Sequence, residues 1–292
     1  SDLRTGKKEE PMAVSIITDS TSDLTAEELQ ALNVHMIHMR VIFEDGVYTD
    51  GVDITKEMFY QKQAEAKTLP KTTQVNPQEY CDAFEPLLEN GDEVVAILMS
   101  SKLSGTFQSA MIAKEMARGG ERLHLVDSLN VTIGEGLLVR EAVKMRDAGA
   151  SGAEIAAALE ELKHRVRFVA FIGTLKYLKM GGRISSSTAV LGTMLNISPV
   201  VAIVDGEVRS VGRVKGKQKI VEYTLDFARA YPIDSRHGVM FGHSRCLETM
   251  ETYREKVSQA LGIQRSDWDE LGAVIGTHSG PGCYGMAYIG LK

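Results

Sequence analysis

Val94-Val95-Ala96-Ile97-Leu98-Met99 runs directly into Ser100-Ser101-Lys102-Leu103-Ser104-Gly105-Thr106, and an amphipathic stretch follows at once. The six apolar residues are short and rich in β-branched side chains, which favours a strand over a buried helix. The Gly and four hydroxyls after them mark a loop that opens a helix. Strand, loop and helix in that order form one unit of an α/β fold. Outward in both directions the unit repeats. Short apolar runs at 13–17, 34–42, 123–126, 167–172, 200–204, 238–241 and 272–275 predict further strands. Amphipathic stretches at 26–32, 56–67, 77–89, 105–118, 134–148, 153–163, 217–230 and 247–261 predict helices. Thr25 with Glu28 reads as a capping box, Asn76-Pro77 sets Pro at a first helical position, and Gly91 and Gly149 stop the helices before them. The expected architecture is α/β with largely parallel sheets.

The chain has 292 residues, and ~150 residues per domain suggests two domains. The Gly- and Ala-rich stretch 148–154 is the weakest point in the middle, so the boundary is expected between there and Arg167, giving units 13–165 and 166–292. Apolar residues at 43% and charged residues at 25% are globular proportions and exclude a disordered or collagen-like chain. A longest apolar run of about six residues is far below the ~20 of a membrane span, so no integral membrane segment is expected. Cys81, Cys246 and Cys283 are too few and too scattered for a disulfide framework or a metal clip. Together these features predict a reduced, cytoplasmic, soluble protein. Residues 1–11 are polar without periodicity and read as a leader or expression remnant that lacks a signal peptide's apolar core.

The net charge of −6 conceals an asymmetry: residues 161–220 carry eleven Lys or Arg against three Asp or Glu. A solvated basic face and a docking surface for an anionic partner explain this about equally well. A nucleic-acid role is disfavoured, because aromatic residues are not interleaved and no helix-turn-helix pattern is present.

In open parallel sheets, ligands bind beyond the carboxyl ends of the strands, and the loops there carry the information. Free backbone N–H groups, a favourable dipole end and movable hydroxyls make the 100–106 loop an anion receptor. It lacks the Gly-Lys-Ser/Thr ending of a Walker A loop. A cap by Ser104 or Thr106 would need one hydroxyl, so the surplus favours an anion site. Lys71-Thr72-Thr73-Gln74-Val75-Asn76-Pro77 delivers hydroxyls ahead of another helix. In Thr18-Asp19-Ser20-Thr21-Ser22-Asp23-Leu24 the Asp19 carboxylate would repel an anion, which assigns that loop to loop-to-loop hydrogen bonding or the edge of the site. Gly276-Thr277-His278-Ser279-Gly280-Pro281-Gly282 reads as a tight loop, with His278 placed to donate to a carboxylate or to orient a hydroxyl that does. Met99, Met111 and Met194 suit an adaptable apolar pocket, and Cys283 reads as a small buried thiol. No nucleophile signature is present: there is no GxSxG elbow and no HExxH. Hydroxyls for an anion without a strong catalyst describe a binding site. A small-molecule phosphoryl or acyl transferase that uses the 100–106 loop as a phosphate cradle is the alternative.

These motifs resemble the DegV family, the fatty-acid-binding subunits also called FakB. The matching segments are Ile17–Leu24, residues 100–110, Val126-Asp127-Ser128, Gly181-Gly182-Arg183-Ile184-Ser185 and Gly276–Gly282, in family order from about Ala13 to the end. The resemblance implies two α/β domains with a long-chain fatty acid in a tunnel between them, and no cofactor besides that ligand. It implies a carboxylate held by Thr72 or Thr73 and by Ser101, with Ser104 and Gly105 as neighbours and His278 close by. It further implies a non-catalytic role: presenting the carboxylate to a separate, dihydroxyacetone-kinase-like fatty acid kinase, which makes acyl phosphate for phospholipid synthesis. Arg183 and Lys215 carry over as docking residues for that kinase. Lys215 stands where Arg is common in the family, and an ammonium cannot reproduce a guanidinium fork.

Overall fold

The computed structural model describes residues 12–184 and 196–292; the readings of residues 1–11, Ser185 and Met194 concern positions outside them. The first half runs β1 (Val14–Asp19), α1 (Ala26–Leu32), β2 (Val34–Ile37), β3 (Arg40–Phe43), β4 (Gly46–Thr49), α2 (Lys56–Glu65), β5 (Lys71–Thr73), α3 (Pro77–Glu89), β6 (Glu93–Leu98), α4 (Thr106–Met116), β7 (Leu123–Asp127), α5 (Ile133–Asp147) and α6 (Gly152–Leu162). The second runs β8 (Val166–Phe171), α7 (Lys176–Met180), β9 (Ile197–Val204), β10 (Glu207–Lys215), α8 (Lys217–Ala230), β11 (Val239–His243), α9 (Leu247–Leu261), β12 (Ser266–Glu270), α10 (Ala273–Ser279) and β13 (Tyr284–Ile289).

The stretch Val94–Met99 explains the first sheet. Its strand lies inside the parallel order β2-β1-β6-β7, and both of its faces are covered. Val94, Ala96 and Leu98 pack with Tyr80, Phe84, Ala110 and Ala113 of α3 and α4. Val95 and Ile97 pack with Leu137, Leu138 and Leu159 of α5 and α6. A strand buried on both sides reads as an uninterrupted apolar run, and burying each such side chain contributes ~1.5–3 kcal/mol.

The α/β class holds, but the parallel expectation holds only for this sheet. In the six-stranded order β10-β9-β8-β13-β11-β12, every neighbouring pair is antiparallel except β11 with β12. The reason is connectivity: β9 and β10 form a hairpin through Asp205-Gly206, and β13 returns between β8 and β11 against both of them. A third sheet, β4-β3-β5, is antiparallel throughout.

Two predicted strands are also corrected. The run 34–42 is two strands, because Ser20 Oγ takes the Met39 N–H at 3.0 Å and His38 Nδ1 meets the Asp50 carbonyl at 2.7 Å, breaking the ladder between them. Residues 272–275 begin α10 instead of a strand. The Asp50 carboxylate accepts the Ala273 and Val274 N–H groups at 3.1 and 3.2 Å, satisfying donors that a helix start leaves open. Gly276–Gly282 is accordingly the end of this helix and a turn, not a free loop.

Helix α5 is the hinge of the packing. It lies between the sheets, touching β1 and β6 on one side and β8, β11 and β13 on the other. Its Ile133, Leu137 and Leu138 share one apolar cluster with Ile16 and Val95 of the first sheet and Met240, Ala287 and Ile289 of the second. Helices α8 and α9 cover the far face of the six-stranded sheet. No helix among the described residues is long and apolar enough to cross a membrane.

Candidate functional site

Between the sheets lies a cavity of about 350 Å³, within the range of small-molecule sites. Its long wall is apolar. Alternation along β8 sends Val169 and Phe171 into the α8/α9 core, while Phe168, Ala170 and Ile172 face the cavity. Val201, Val208, Leu178 and Leu271 join them from the same half, and Met39, Met99, Leu103 and Val131 close the cavity from the other. Met99 thus serves the pocket as expected, whereas Met111 is exposed on α4.

The polar end collects groups from four separated segments: Thr72, Thr73 and Gln74 from β5 and the loop after it, Ser104 and Gly105 from the β6–α4 loop, Arg183 after α7, and His278 from α10. Thr72 Oγ1 and His278 Nε2 are 2.9 Å apart. His278 Nδ1 is buried without a partner among the described residues. A buried orphan N–H is rarer than an orphan acceptor, so the proton belongs on Nε2, donating to Thr72. The Thr72 hydroxyl proton is then free to point at an anion. Ser104 is arranged alike: its Oγ accepts the Thr106 N–H at 3.2 Å, leaving its own proton available. Burial, helped by the Arg183 charge, lowers the His278 pKa to about 4, so the imidazole is neutral at pH 7.

Arg183 is half-buried, its Nη1 donating to the Gly181 carbonyl at 2.6 Å and its Nε to Leu103 at 3.2 Å. These bonds fix a positive charge at the polar end. Arg183, which the family resemblance implies as a docking residue, lines the cavity wall. Gly181 lies flat against His278, where a Cβ would come within 2.9 Å of Cε1.

Ser101 is not brought to this cluster. Its N–H is held by Asp127 Oδ1 at 3.1 Å on the turn after Ser100, and its side chain is exposed outside the cavity wall. Ser100 instead is buried and donates to the Gly206 carbonyl at 2.7 Å, tying the loop to the other half. Lys215 is exposed at the end of β10, opposite Ile197, and does not border the cavity. Of the basic excess in 161–220, Lys163, Arg165, Arg209 and Lys219 are all paired with carboxylates.

Behind the site lies a set of buried acids. Asp19 accepts from Met99 N at 2.9 Å, which is the loop-to-loop role expected of it. Asp23 accepts from Gly272 N at 2.8 Å and from the Thr132 hydroxyl at 2.7 Å. Burial pushes Asp23 up to about 7 and also raises Asp19, Asp50 and Glu135. Among the described residues no group of three or more His, Cys, Asp or Glu is placed to hold a metal ion.

Residues 13–291 match the family described as "Uncharacterised protein, DegV family". The chain belongs to the DegV family. A DegV domain-containing protein of Caldanaerobacter subterraneus subsp. tengcongensis is 34% identical over 276 residues, covering 94% of this chain and 98% of that one. Among solved structures, the chain is similar to a fatty-acid-binding DegV protein of Thermus thermophilus, with a TM-score of 0.86 at 33% identity over 96% of this chain and 100% of that one. It is also similar to a stearic-acid-binding protein of Eubacterium ventriosum, with a TM-score of 0.83 at 27% identity over 95% and 98% of the two chains.

One expectation follows from the site alone. A histidine held at about 4 against ~6.5 in an open chain leaves stability untouched above pH 6.5 and removes ~1.4 kcal/mol per pH unit between 6.5 and 4. Ligand-free protein should therefore lose about 2–3 kcal/mol more between pH 7.5 and 4.5 than its His278→Asn variant. Urea midpoints of both proteins at both pH values measure this, since the buried acids contribute equally to each. Equal losses would mean that the imidazole is not held neutral.

Proposed function

We propose that this DegV-family protein binds a long-chain fatty acid, with its tail along the apolar wall and its carboxylate at the polar end. Thr72, oriented by the N–H of the neutral His278, and Ser104 supply the donors, Arg183 supplies the charge, and Thr73 and Gly105 complete the rim. The carrying observation is a cavity lined largely by apolar side chains whose wall also holds the His278–Thr72 pair. Similarity to the fatty-acid-binding proteins of Thermus thermophilus and Eubacterium ventriosum supports the same reading. In the second step of the proposal, the units 13–165 and 166–292 hold the acid between them and present its carboxylate to a separate fatty acid kinase. The chain itself performs no catalysis. Lys215, exposed at the end of its strand, is the proposed partner contact.

Magnitudes divide the work between the two ends of the ligand. About fourteen buried methylenes at ~0.8 kcal/mol each give a gross ~11 kcal/mol before ordering costs. Each hydrogen bond to the charged carboxylate adds ~1.5–3 kcal/mol. The tail sets affinity and the donors set orientation.

Mass spectrometry of lipid extracted from the purified protein is expected to find close to one fatty acid per chain. Delipidated protein should take up oleate or palmitate again. Protein that is free of acid and refuses both would overturn the reading, and turnover of nucleotide or acyl phosphate by the isolated chain would replace it with a transferase. Acyl phosphate formation by an added fatty acid kinase, dependent on this protein, tests the second step.

A further inference from the structure

We propose that Phe168 is the ruler that sets how long an acyl chain this protein accepts, and that a second cavity beyond it is the space a longer chain would enter. This rests on the fatty-acid reading above and adds a residue and a length limit to it. The second cavity, of about 480 Å³, adjoins the first, and among the described residues Phe168 is the one side chain common to the walls of both.

Three chain segments pass from one wall into the next. On β8, Ala170 and Phe168 line the first cavity, and Phe168 and Val166 line the second. These residues share a face by the two-residue repeat of a strand. On β9 the lining passes from Val201 to Ile203, and in the β7–α5 loop from Val131 to Leu129. None of Thr72, Ser104, Arg183 and His278 borders the second cavity, so it lies at the tail end of the first. From Ile172 to Phe168 the lining spans four residues of extended chain, or ~13 Å.

The space beyond the ring offers apolar surface for a hydrocarbon to follow. Val166, Ile203, Tyr223 and Phe227 supply its apolar surface. Asn130, Lys163, His164, Arg167 and Asp205 also border it; Lys163 is paired with Glu160, Asp205 with Arg209, and Arg167 donates to the carbonyls of His164, Val166 and Lys292. A phenyl side chain that separates two cavities of this kind closes the first at a fixed depth. A smaller residue joins them.

The test is a series of saturated acids from myristate to lignocerate, displaced against a fluorescent fatty acid on delipidated protein, with Phe168→Ala, Phe168→Leu and Phe168→Trp beside the unaltered chain. In the unaltered protein affinity should rise about fourfold per methylene up to a limit and then fall. Phe168→Ala should move that limit several methylenes longer, Phe168→Leu less far, and Phe168→Trp should shorten it. If the alanine variant fails to fold, the leucine and tryptophan variants still decide, because they move the limit in opposite directions. The same limit in every folded variant would overturn the ruler while leaving fatty-acid binding intact. No binding of any acid by the unaltered protein would overturn the reading of the site, and the ruler with it.

Discussion

Gly285→Ala is expected to be the most damaging single-methyl change in this protein. Gly285 sits in β13, at the centre of the six-stranded sheet, opposite Ala170 of β8 and Gly242 of β11. A Cβ there would stand 2.6 Å from Ala170 Cα and closer still to the Val169 carbonyl oxygen. Both are backbone atoms, so no rotamer change makes room; the ladder between β13 and β8 must part. Overpacking a well-packed core costs ~1–3 kcal/mol and occasionally more, and a backbone collision between two central strands belongs at the upper end. At ~2–4 °C per kcal/mol, the midpoint of thermal unfolding should fall by roughly 6–12 °C. Scanning calorimetry on delipidated protein measures this directly. A midpoint within a degree of the unaltered protein would show that the two strands can separate freely here. Because Ala170 is also a cavity residue, the folded fraction of this variant should bind acid more weakly.

Arg183→Glu is expected to weaken acid binding by about 100-fold at neutral pH and low salt. The guanidinium is held in the cavity wall by the carbonyls of Gly181 and Leu103, at the same end as His278 and Thr72. Unit charges ~5 Å apart interact by ~3 kcal/mol at an effective dielectric near 20. Reversal replaces that attraction by repulsion, and solvent on the half-buried side chain reduces the full difference. Arg183→Gln, which only removes the charge, should cost about tenfold, and added salt should narrow the gap between the variants. Equilibrium displacement with stearate settles the point. Undiminished binding combined with failed delivery to a fatty acid kinase would assign Arg183 to the partner surface and leave the carboxylate to the neutral donors.

The parts of the fold that were legible in the sequence are those where one residue type has one physical meaning. Val94–Leu98 could be read as a strand because both of its faces are covered, and the capping box at Thr25 and the Pro after Asn76 marked the starts of α1 and α3. The failures occurred where distant residues decide the local structure. Residues 272–275 look like a strand until the Asp50 carboxylate caps them into a helix from more than two hundred residues away. The three-residue β5 has no periodicity to detect and exists because β3 pairs with it. At the site, hydroxyl-rich loops before helices pointed to Thr72 and Ser104, both of which reach the cavity. Ser101 carries the same signal two residues from Leu103, but a turn anchored on Asp127 leaves it in solvent. Phe168 gives no signal at all in the sequence, since its role depends on a void on each side of it.

The bonds that hold α10 have a further consequence, for biosynthesis. The amide groups that Asp23 and Asp50 receive belong to Gly272, Ala273 and Val274, more than two hundred residues later in the sequence. On a ribosome these two acids wait, without their partners, until the segment that carries those amides has been made. His278 arrives in the same short segment. A nascent chain halted before Gly272 therefore has neither its pocket nor the lock that ties Asp23 and Asp50 to α10.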